Sequence, residues 1–399
     1  MESTTRLLIY SHDSFGLGHL RRCRAIAHHL VDVYPDLSVL ILSGSPIIGN
    51  FDFKDRVDFV RMPGVIKLRD GEYQSQKLHL AVEETLAVRA SIIRHTALTF
   101  APDLFLVDKE PLGLRGEVEP ALHDLRARGC RLVLGLRDVM DEPGALHEEW
   151  RRKGVMPALE ELYHEIWVYG LPAIFDPLSE LPDMDGIAHK VTFTGYLPRQ
   201  ASQRDSEILP DTLGNRPFIL VTPGGGGDGE ALIDWVLRAY EADPGLPHNA
   251  LIVFGPFMPV DQRQAFQARV HALDKVEAIT FEAEFEQLLE RAIGVVGMGG
   301  YNTFCEILSF GKPALVVPRT VPRQEQALRA LRAERLGLVH VLPDDGRREV
   351  GAMIAQLRAL PGWQAPDARR VPGLLAGLDR IATLARPWLG RVPAARRLA

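Results

Sequence analysis

Short apolar runs recur along this chain, separated by longer stretches with a helical period. The first set is RLLIY (6–10), LSVLIL (37–42), DFVRM (58–62), LFLVD (104–108), RLVLGLR (131–137), EIWVYG (165–170) and VTFTG (191–195). Most are continuously apolar rather than alternating. A strand of that kind is buried on both faces, which means a parallel sheet covered by helices. Helical patterns fall between the runs, for example at 19–34 and 76–98. The polar, proline-punctuated segment LPRQASQRDSEILPDTLGNRP (197–217) then breaks the rhythm and reads as a linker. Beyond it the rhythm restarts with FILVTPGGGG (218–227), ALIVFGP (250–256), VEAITF (276–281), GVVGMGG (294–300), PALVVP (313–318) and VHVLP (339–343). The expected fold class is α/β, with two doubly wound Rossmann-like domains facing across a cleft. The expected divisions are residues 1–198, a linker at 199–217, residues 218–372, and a last helix with a basic tail (373–399) packing back across the domains.

Composition narrows the partners. Of the 399 residues, 46% are hydrophobic and 25% charged, enough for a sizeable core. The net charge of −6 and a pI near 6.1 supply no basic excess to neutralise phosphates, so nucleic acid is not an expected partner. Only the tail RVPAARRLA is locally basic, which suits either a solvated helix end or peripheral contact with an anionic membrane. Cys23, Cys130 and Cys305 show neither CxxC spacing nor a Cys/His cluster, so no disulfide framework and no metal site is expected. MESTTRLLIY passes straight into a strand without the pattern of a secretory signal, and no apolar run approaches the ~18 residues that span a bilayer. The expected location is the cytoplasm.

In doubly wound sheets, ligands bind at the carboxyl ends of the strands, where helix N-termini point. Three glycine-rich turns sit at such ends. SFGLGHLRRC (14–23) follows the first strand, and Gly16 and Gly18 leave room for a ligand to approach the backbone. His19 falls on the first helical turn, where the helix dipole disfavours the charged imidazole and so favours a neutral general base. Arg22, one turn on, suits a phosphate, an acidic acceptor or plain solvent. TPGGGGDG (222–229) opens the second domain, and Gly224, Gly225, Gly226 and Gly227 suit wrapping a diphosphate. It is no Walker loop, because no Gly-Lys-Ser/Thr follows. In GMGGYNTFCE (297–306), Gly299 and Gly300 precede a helix carrying Asn302, Thr303 and Glu306. Its first turn can meet phosphate, and a carboxylate one turn further can accept from two ribose hydroxyls. Glu325 and Gln326 follow at the next helix start.

This third segment, GGYNTFCEILSFGKPALVVP followed by RQEQ, resembles the donor site of GT-B glycosyltransferases. It is similar especially to the peptidoglycan lipid-intermediate N-acetylglucosaminyltransferase family, with its glycosyltransferase family 28 type of C-terminal domain. The likeness runs from Phe281 to Gln326. SFGLGHLRR resembles the same family's N-terminal glycine-rich loop with its histidine, and PGGGG its interdomain phosphate loop. The resemblance implies that Glu306 binds the donor ribose, and that Thr303, Gly299 and Gly300 bind the diphosphate. It also implies that Phe285 lies against the nucleobase, read by backbone near Glu282, and that Glu325 and Gln326 hold sugar hydroxyls. The family has two glutamines where this chain has Glu325-Gln326. A carboxylate only accepts hydrogen bonds, which points away from N-acetylglucosamine as the sugar.

The activity so implied is inverting, metal-independent transfer of a sugar from a nucleotide sugar, most simply a UDP-sugar, to a hydroxyl acceptor. No further cofactor is expected. His19 is the candidate base, and its orienting carboxylate is either Asp108 or Asp138, both at strand ends, with Asp108 preferred. GLGHLRR also resembles the loop of nucleotide-sugar hydrolases of this fold, with water as acceptor. An epimerase and a non-catalytic nucleotide-sugar sensor are the remaining readings.

Overall fold

The computed structural model describes residues 4–13, 17–67, 72–141, 143–179, 181, 184–201, 213–214 and 216–390. Gly16, most of the expected linker and the basic tail from 391 onward lie outside the described residues. The chain divides into two compact units. The first takes Met1–Pro172, Asp176–Leu197 and Ala376–Ala399, and the second Ala173–Phe175 and Pro198–Leu375.

The first unit is built from β1 (Thr5–Ser11), α1 (Gly18–Val33), β2 (Leu37–Ser43), β3 (Val57–Arg61), β4 (Val65–Lys67), β5 (Tyr73–Ser75), α2 (Val82–Phe100), β6 (Leu104–Asp108), α3 (Glu119–Ala127), β7 (Arg131–Arg137), α4 (Pro143–Lys153), α5 (Val155–Glu161), β8 (Glu165–Tyr169) and β9 (Val191–Phe193). Its main sheet runs β3-β2-β1-β6-β7-β8-β9, with every pairing parallel. Leu7 to Tyr10 of the central β1 have no solvent exposure, as continuously apolar strands require. Leu8, Tyr10, Phe105, Val107 and Leu134 form the core with Ile93 of α2 and Leu122 of α3. The antiparallel pair β4 and β5 is absent from the pattern of apolar runs, because three-residue strands carry too little periodicity to register.

The second unit follows with β10 (Phe218–Thr222), α6 (Glu230–Ala242), β11 (Asn249–Val253), α7 (Val260–Val270), β12 (Val276–Ile279), α8 (Phe285–Arg291), β13 (Gly294–Gly297), α9 (Tyr301–Ser309), β14 (Ala314–Val316), α10 (Glu325–Arg335), β15 (His340–Val341) and α11 (Val350–Ala359). The sheet order is β12-β11-β10-β13-β14-β15, again parallel throughout. Ile233 and Val236 of α6 and Met353 and Leu357 of α11 cover Val221, Ile252 and Val296. The chain then returns to the first unit as α12 (Gly377–Leu389), which buries Ile381, Ala382, Ala385 and Leu389. Tyr34 Oη donates to Ala382 O at 2.5 Å, fixing α12 beside α1. The segment expected to begin the linker does not behave as one at its start. Arg199 is packed into the second unit, its N–H donating to Ser309 Oγ at 2.9 Å.

Both sheets reverse direction of growth beside their central strand, between β1 and β6 in one and between β10 and β13 in the other. At such a switch point adjacent loops splay apart and leave a crevice at the carboxyl ends. The loops that meet there carry His19 and Asp108 in the first unit, and the Gly224–Gly227 and Gly299–Gly300 turns in the second.

Candidate active site

In the first unit, α1 begins at Gly18 without a side-chain cap from its preceding residue Leu17. Asp13 supplies the missing acceptor: its Oδ1 takes the N–H of Leu20 at 3.2 Å, and its Oδ2 takes Ser43 Oγ–H at 2.5 Å. One carboxylate thus fixes the helix start to the end of β2.

His19 then lies on the first turn, with Nδ1 2.5 Å from Asp108 Oδ2 at the end of β6. Arg22 Nε and Nη2 donate to the two oxygens of the same carboxylate at 2.8 and 2.7 Å. Arg22 is fully buried, so it serves neither solvent nor, in this arrangement, a ligand. Burial pushes the Asp108 carboxyl up, but the Arg22 guanidinium and His19 outweigh it and hold the group well below the usual carboxylate range. Asp108 only accepts, so its contact calls for the proton on Nδ1 of His19 and the lone pair on Nε2; Arg22 Nη2, 3.0 Å from Nδ1, directs its own proton to Asp108 Oδ2. Burial lowers His19 to about 4, against the opposing pull of Asp108, with Arg22 and Lys109 lowering it further. The expected direction is met, while burial rather than the helix end is its main cause. The side chain keeps 13% exposure, enough for a ligand to reach it. Asp138, the alternative carboxylate, accepts from Tyr196 Oη at 2.6 Å. Immediately after Asp108, Lys109 adopts a left-handed φ of 70°, a strained turn of the kind that collects at functional sites.

Sequence reasoning passed over His12. Its ring stands edge-on to His19, centroids 5.7 Å apart. Tyr10 Oη donates to Glu117 Oε1 at 2.6 Å and so receives the His12 Nδ1 proton across 3.2 Å. Arg89 clamps Glu117 with two bonds of 2.6 Å. Burial pushes His12 well below the usual histidine range. Both imidazoles are therefore neutral at physiological pH, each tied through Nδ1 to a buried carboxylate–arginine pair.

In the second unit the glycine turns meet. A Cβ on Gly224 would lie 4.0 Å from Thr303 Oγ1, which brings the turn after β10 against the first turn of α9. Gly226, at φ 91°, faces the carbonyl of Phe254 too closely for any side chain, and Gly299, at φ 75°, is closed off by Val316. Gly225 is half-buried, Gly227 is exposed, and a Cβ on Gly300 would meet nothing within 4 Å. The amides at the start of α9 thus border open space.

Asn302 Oδ1 accepts from Arg199 Nη2 at 2.9 Å. Arg199 is 8% exposed, yet among the described residues its Nε and Nη1 have no hydrogen-bond partner. A buried guanidinium without an anion is costly, and this one stands beside the N-terminus of a nine-residue helix, where backbone amides also favour negative charge. Only its contact with Asn302 reveals this setting, since the sequence offers an arginine next to a linker and nothing more.

Four of the resembled positions look different in the fold. Glu306 is completely covered, so a ribose reaches its carboxylate only if that cover moves. Phe285, the first residue of α8, packs into the interior and leaves little ring face for a base. Glu325 Oε1 and Gln326 Oε1 both accept from Arg319, from Nη2 at 2.9 Å and from the backbone N–H at 3.2 Å. Arg319, three residues past β14, was not anticipated. Among the described residues, no cluster of three or more His, Cys, Asp or Glu side chains is arranged to hold a metal, and no helix is long and apolar enough to cross a membrane.

The fold defines the class first. The chain matches the glycotransferase of kitacinnamycin with a TM-score of 0.62 at 18% identity, over 97% of this chain and 100% of that one. It matches a UDP-N-acetylglucosamine 2-epimerase with a TM-score of 0.60 at 14% identity, over the whole of both chains. MurG of Acinetobacter baumannii aligns with a TM-score of 0.57 at 12% identity, over 96% and 100%. No curated protein matches the sequence. The shared architecture is the GT-B fold. Residues 218–359, which span almost all of the second sheet and its helices, match the model of the glycosyltransferase family 28 C-terminal domain. The second unit is thus similar to that domain, within a chain whose architecture is that of GT-B glycosyltransferases.

Proposed function

We propose that this protein is an inverting, metal-independent glycosyltransferase that moves a sugar from a nucleotide-sugar donor, a UDP-sugar by preference, to a hydroxyl acceptor. The observation that carries the reading is the His19–Asp108 contact at the switch point of the first sheet. It leaves Nε2 of a neutral imidazole as the one ring nitrogen able to take a proton. In the proposed step the acceptor O–H gives its proton to Nε2 while its oxygen attacks the anomeric carbon. The bond from that carbon to the phosphate oxygen breaks, and the nucleoside diphosphate leaves with the electron pair. A single displacement of this kind inverts the anomeric centre. Asp108 holds the ring and stabilises the imidazolium that forms.

The leaving diphosphate gains charge as the bond breaks, and pre-aimed donors stabilise it without reorganising. Those donors are the amides of Gly224–Gly227 and Gly299–Gly300, Thr303, and the Arg199 guanidinium beside Asn302. In this reading Gly16 and Gly18 admit the ligand to the start of α1. Phe285 and backbone near Glu282 border the base, Glu306 serves the ribose, and Glu325 with Gln326 borders the sugar. A nucleotide-sugar donor implies action in the cytoplasm, and the basic tail is the proposed point of contact with an anionic membrane.

The test is incubation of the pure protein with a panel of UDP-, dTDP- and GDP-sugars. A donor that binds and stays intact until an acceptor is supplied supports transfer. Release of free sugar into water would make the protein a hydrolase, and appearance of an isomeric donor an epimerase.

A further inference from the structure

An acidic residue stands where a diphosphate-binding loop should least want one. Asp228 follows directly on Gly224–Gly227, and Glu230 opens α6 two residues later. Acidic side chains at a helix N-terminus suit the helix dipole. They also repel a ligand that brings further negative charge to the same turn. The contacts of Asp228 resolve the conflict. Its Oδ2 lies 2.8 Å from Arg319 Nε, while Nη2 of the same guanidinium holds Glu325 Oε1 at 2.9 Å.

Resting on the donor-site reading above, we propose that Arg319 is a ligand of the donor's diphosphate, kept paired with Asp228 until phosphate displaces that carboxylate. The two sides of the guanidinium are held unequally. Glu325 is 6% exposed and makes an aligned hydrogen bond, and the Arg319 backbone N–H is tied to Gln326. Asp228 is 48% exposed, and although it is close to Nε, that N–H makes no aligned hydrogen bond. Asp228 can therefore turn into water at little cost, while Glu325 cannot. A phosphate offers more charge than a carboxylate, and its oxygen can take the Nε–H beside which Asp228 stands. The exchange happens on the loop side, and Glu325 keeps Arg319 in place throughout.

The placement agrees. Asp228 shares its turn with the glycines that face Thr303, and Arg319 lies three residues beyond Val316, the side chain that closes off Gly299. Both ends of the ion pair thus belong to the turns assigned to the diphosphate. With Asp228 and Glu325 each −1 and Arg319 +1, the resting triad carries one net negative charge. Releasing Asp228 to solvent lets the pinned Arg319 present its cation to the ligand.

Calorimetric titration of the full chain tests this, using whichever of UDP, dTDP and GDP the wild type binds most tightly, alongside its nucleoside monophosphate. Asp228→Asn removes the competitor and should tighten the diphosphate by roughly three- to tenfold. Arg319→Gln should weaken the diphosphate by roughly tenfold or more, with a smaller effect on the monophosphate. In the double variant the gain from Asp228→Asn should vanish, because the two residues act on one interaction. Damage to the fold would instead weaken both nucleotides alike. The inference is overturned if Asp228→Asn leaves the diphosphate unchanged or weaker, or if its gain survives in Arg319→Gln. A wild type that binds no nucleoside diphosphate defeats the donor-site reading itself, which is a different outcome.

Discussion

Asp108 carries two partners on a single oxygen. Oδ2 lies 2.5 Å from His19 Nδ1 and 2.7 Å from Arg22 Nη2, while Oδ1 takes Arg22 Nε. Arginine keeps the carboxylate ionised, and the ionised carboxylate sets the histidine tautomer. Replacing His19 by alanine should lower turnover by roughly 10²–10⁴-fold, the usual weight of a general base. Donor affinity should stay near that of the parent, since the donor is assigned to the second unit. Initial rates and nucleotide titrations on one preparation check this. A variant that loses donor binding yet turns over normally at saturation would make His19 a ligand rather than a base.

The pH dependence follows from the same contact. A base works unprotonated, and burial holds His19 at about 4. The acidic limb of the rate profile should therefore fall near pH 4 rather than near the ordinary 6.5. Stability has the same sign. The folded value lies below the unfolded one, so this contribution is complete above about pH 6.5 and is lost as pH falls towards 4. Asp108→Asn should cost about 3–5 kcal/mol by leaving Arg22 buried without its carboxylate. It should also lower turnover, because the tautomer is no longer imposed. Denaturant titrations and a pH–rate series read the two effects separately, and a wild-type limb at 6.5 would contradict the buried, neutral base.

Arg199 should show opposite signs in two experiments. Arg199→Met keeps much of the packing and removes a buried charge that has no anionic partner among the described residues. The free protein should be as stable as the parent or more so. Nucleoside diphosphate affinity should fall by about 1.5–3 kcal/mol, the range for hydrogen bonds to a charged group. Thermal unfolding with and without UDP measures both. Equal loss in the two would reduce Arg199 to a structural residue.

The glycines of the second unit divide into two kinds. Gly300→Ala should fold normally, because its Cβ meets nothing, yet weaken the diphosphate by roughly tenfold if phosphate approaches that face. Gly226→Ala should damage the turn itself, because φ is 91° and the Phe254 carbonyl occupies the space. Circular dichroism and nucleotide titration separate these outcomes. A Gly300→Ala variant with parental affinity would move the diphosphate elsewhere.

The strands were legible in the sequence because their burial is two-sided, so LFLVD and FILVT announce themselves without a partner. His19 and Asp108 were legible for a related reason: strand ends in a parallel sheet are where loops gather, and Asp108 closes an apolar run while His19 opens the helix that follows one. Arg199, Arg319 and His12 were not. Each owes its meaning to a residue remote in sequence or to a buried network, such as Asn302 for Arg199 and Glu117 for His12. Periodicity is blind to both. Arg22 misled for the converse reason, since helix position predicts a neighbour on the same face but not the carboxylate arriving from β6.

The strand that leads to His19 is closed by a helix made almost four hundred residues later. Tyr34 donates to Ala382, Thr5 Oγ1 reaches Leu389 O at 3.5 Å, and Arg131 lies over the Trp388 ring. A ribosome must pass residue 389 before the first unit can bury α1 and β1 completely, whereas the second unit has all its strands by residue 341. The half of the protein written first is therefore finished last. The surface proposed for the base matures only after the one proposed for the donor already stands, and a chain stopped short of α12 would leave the first unit open and incomplete.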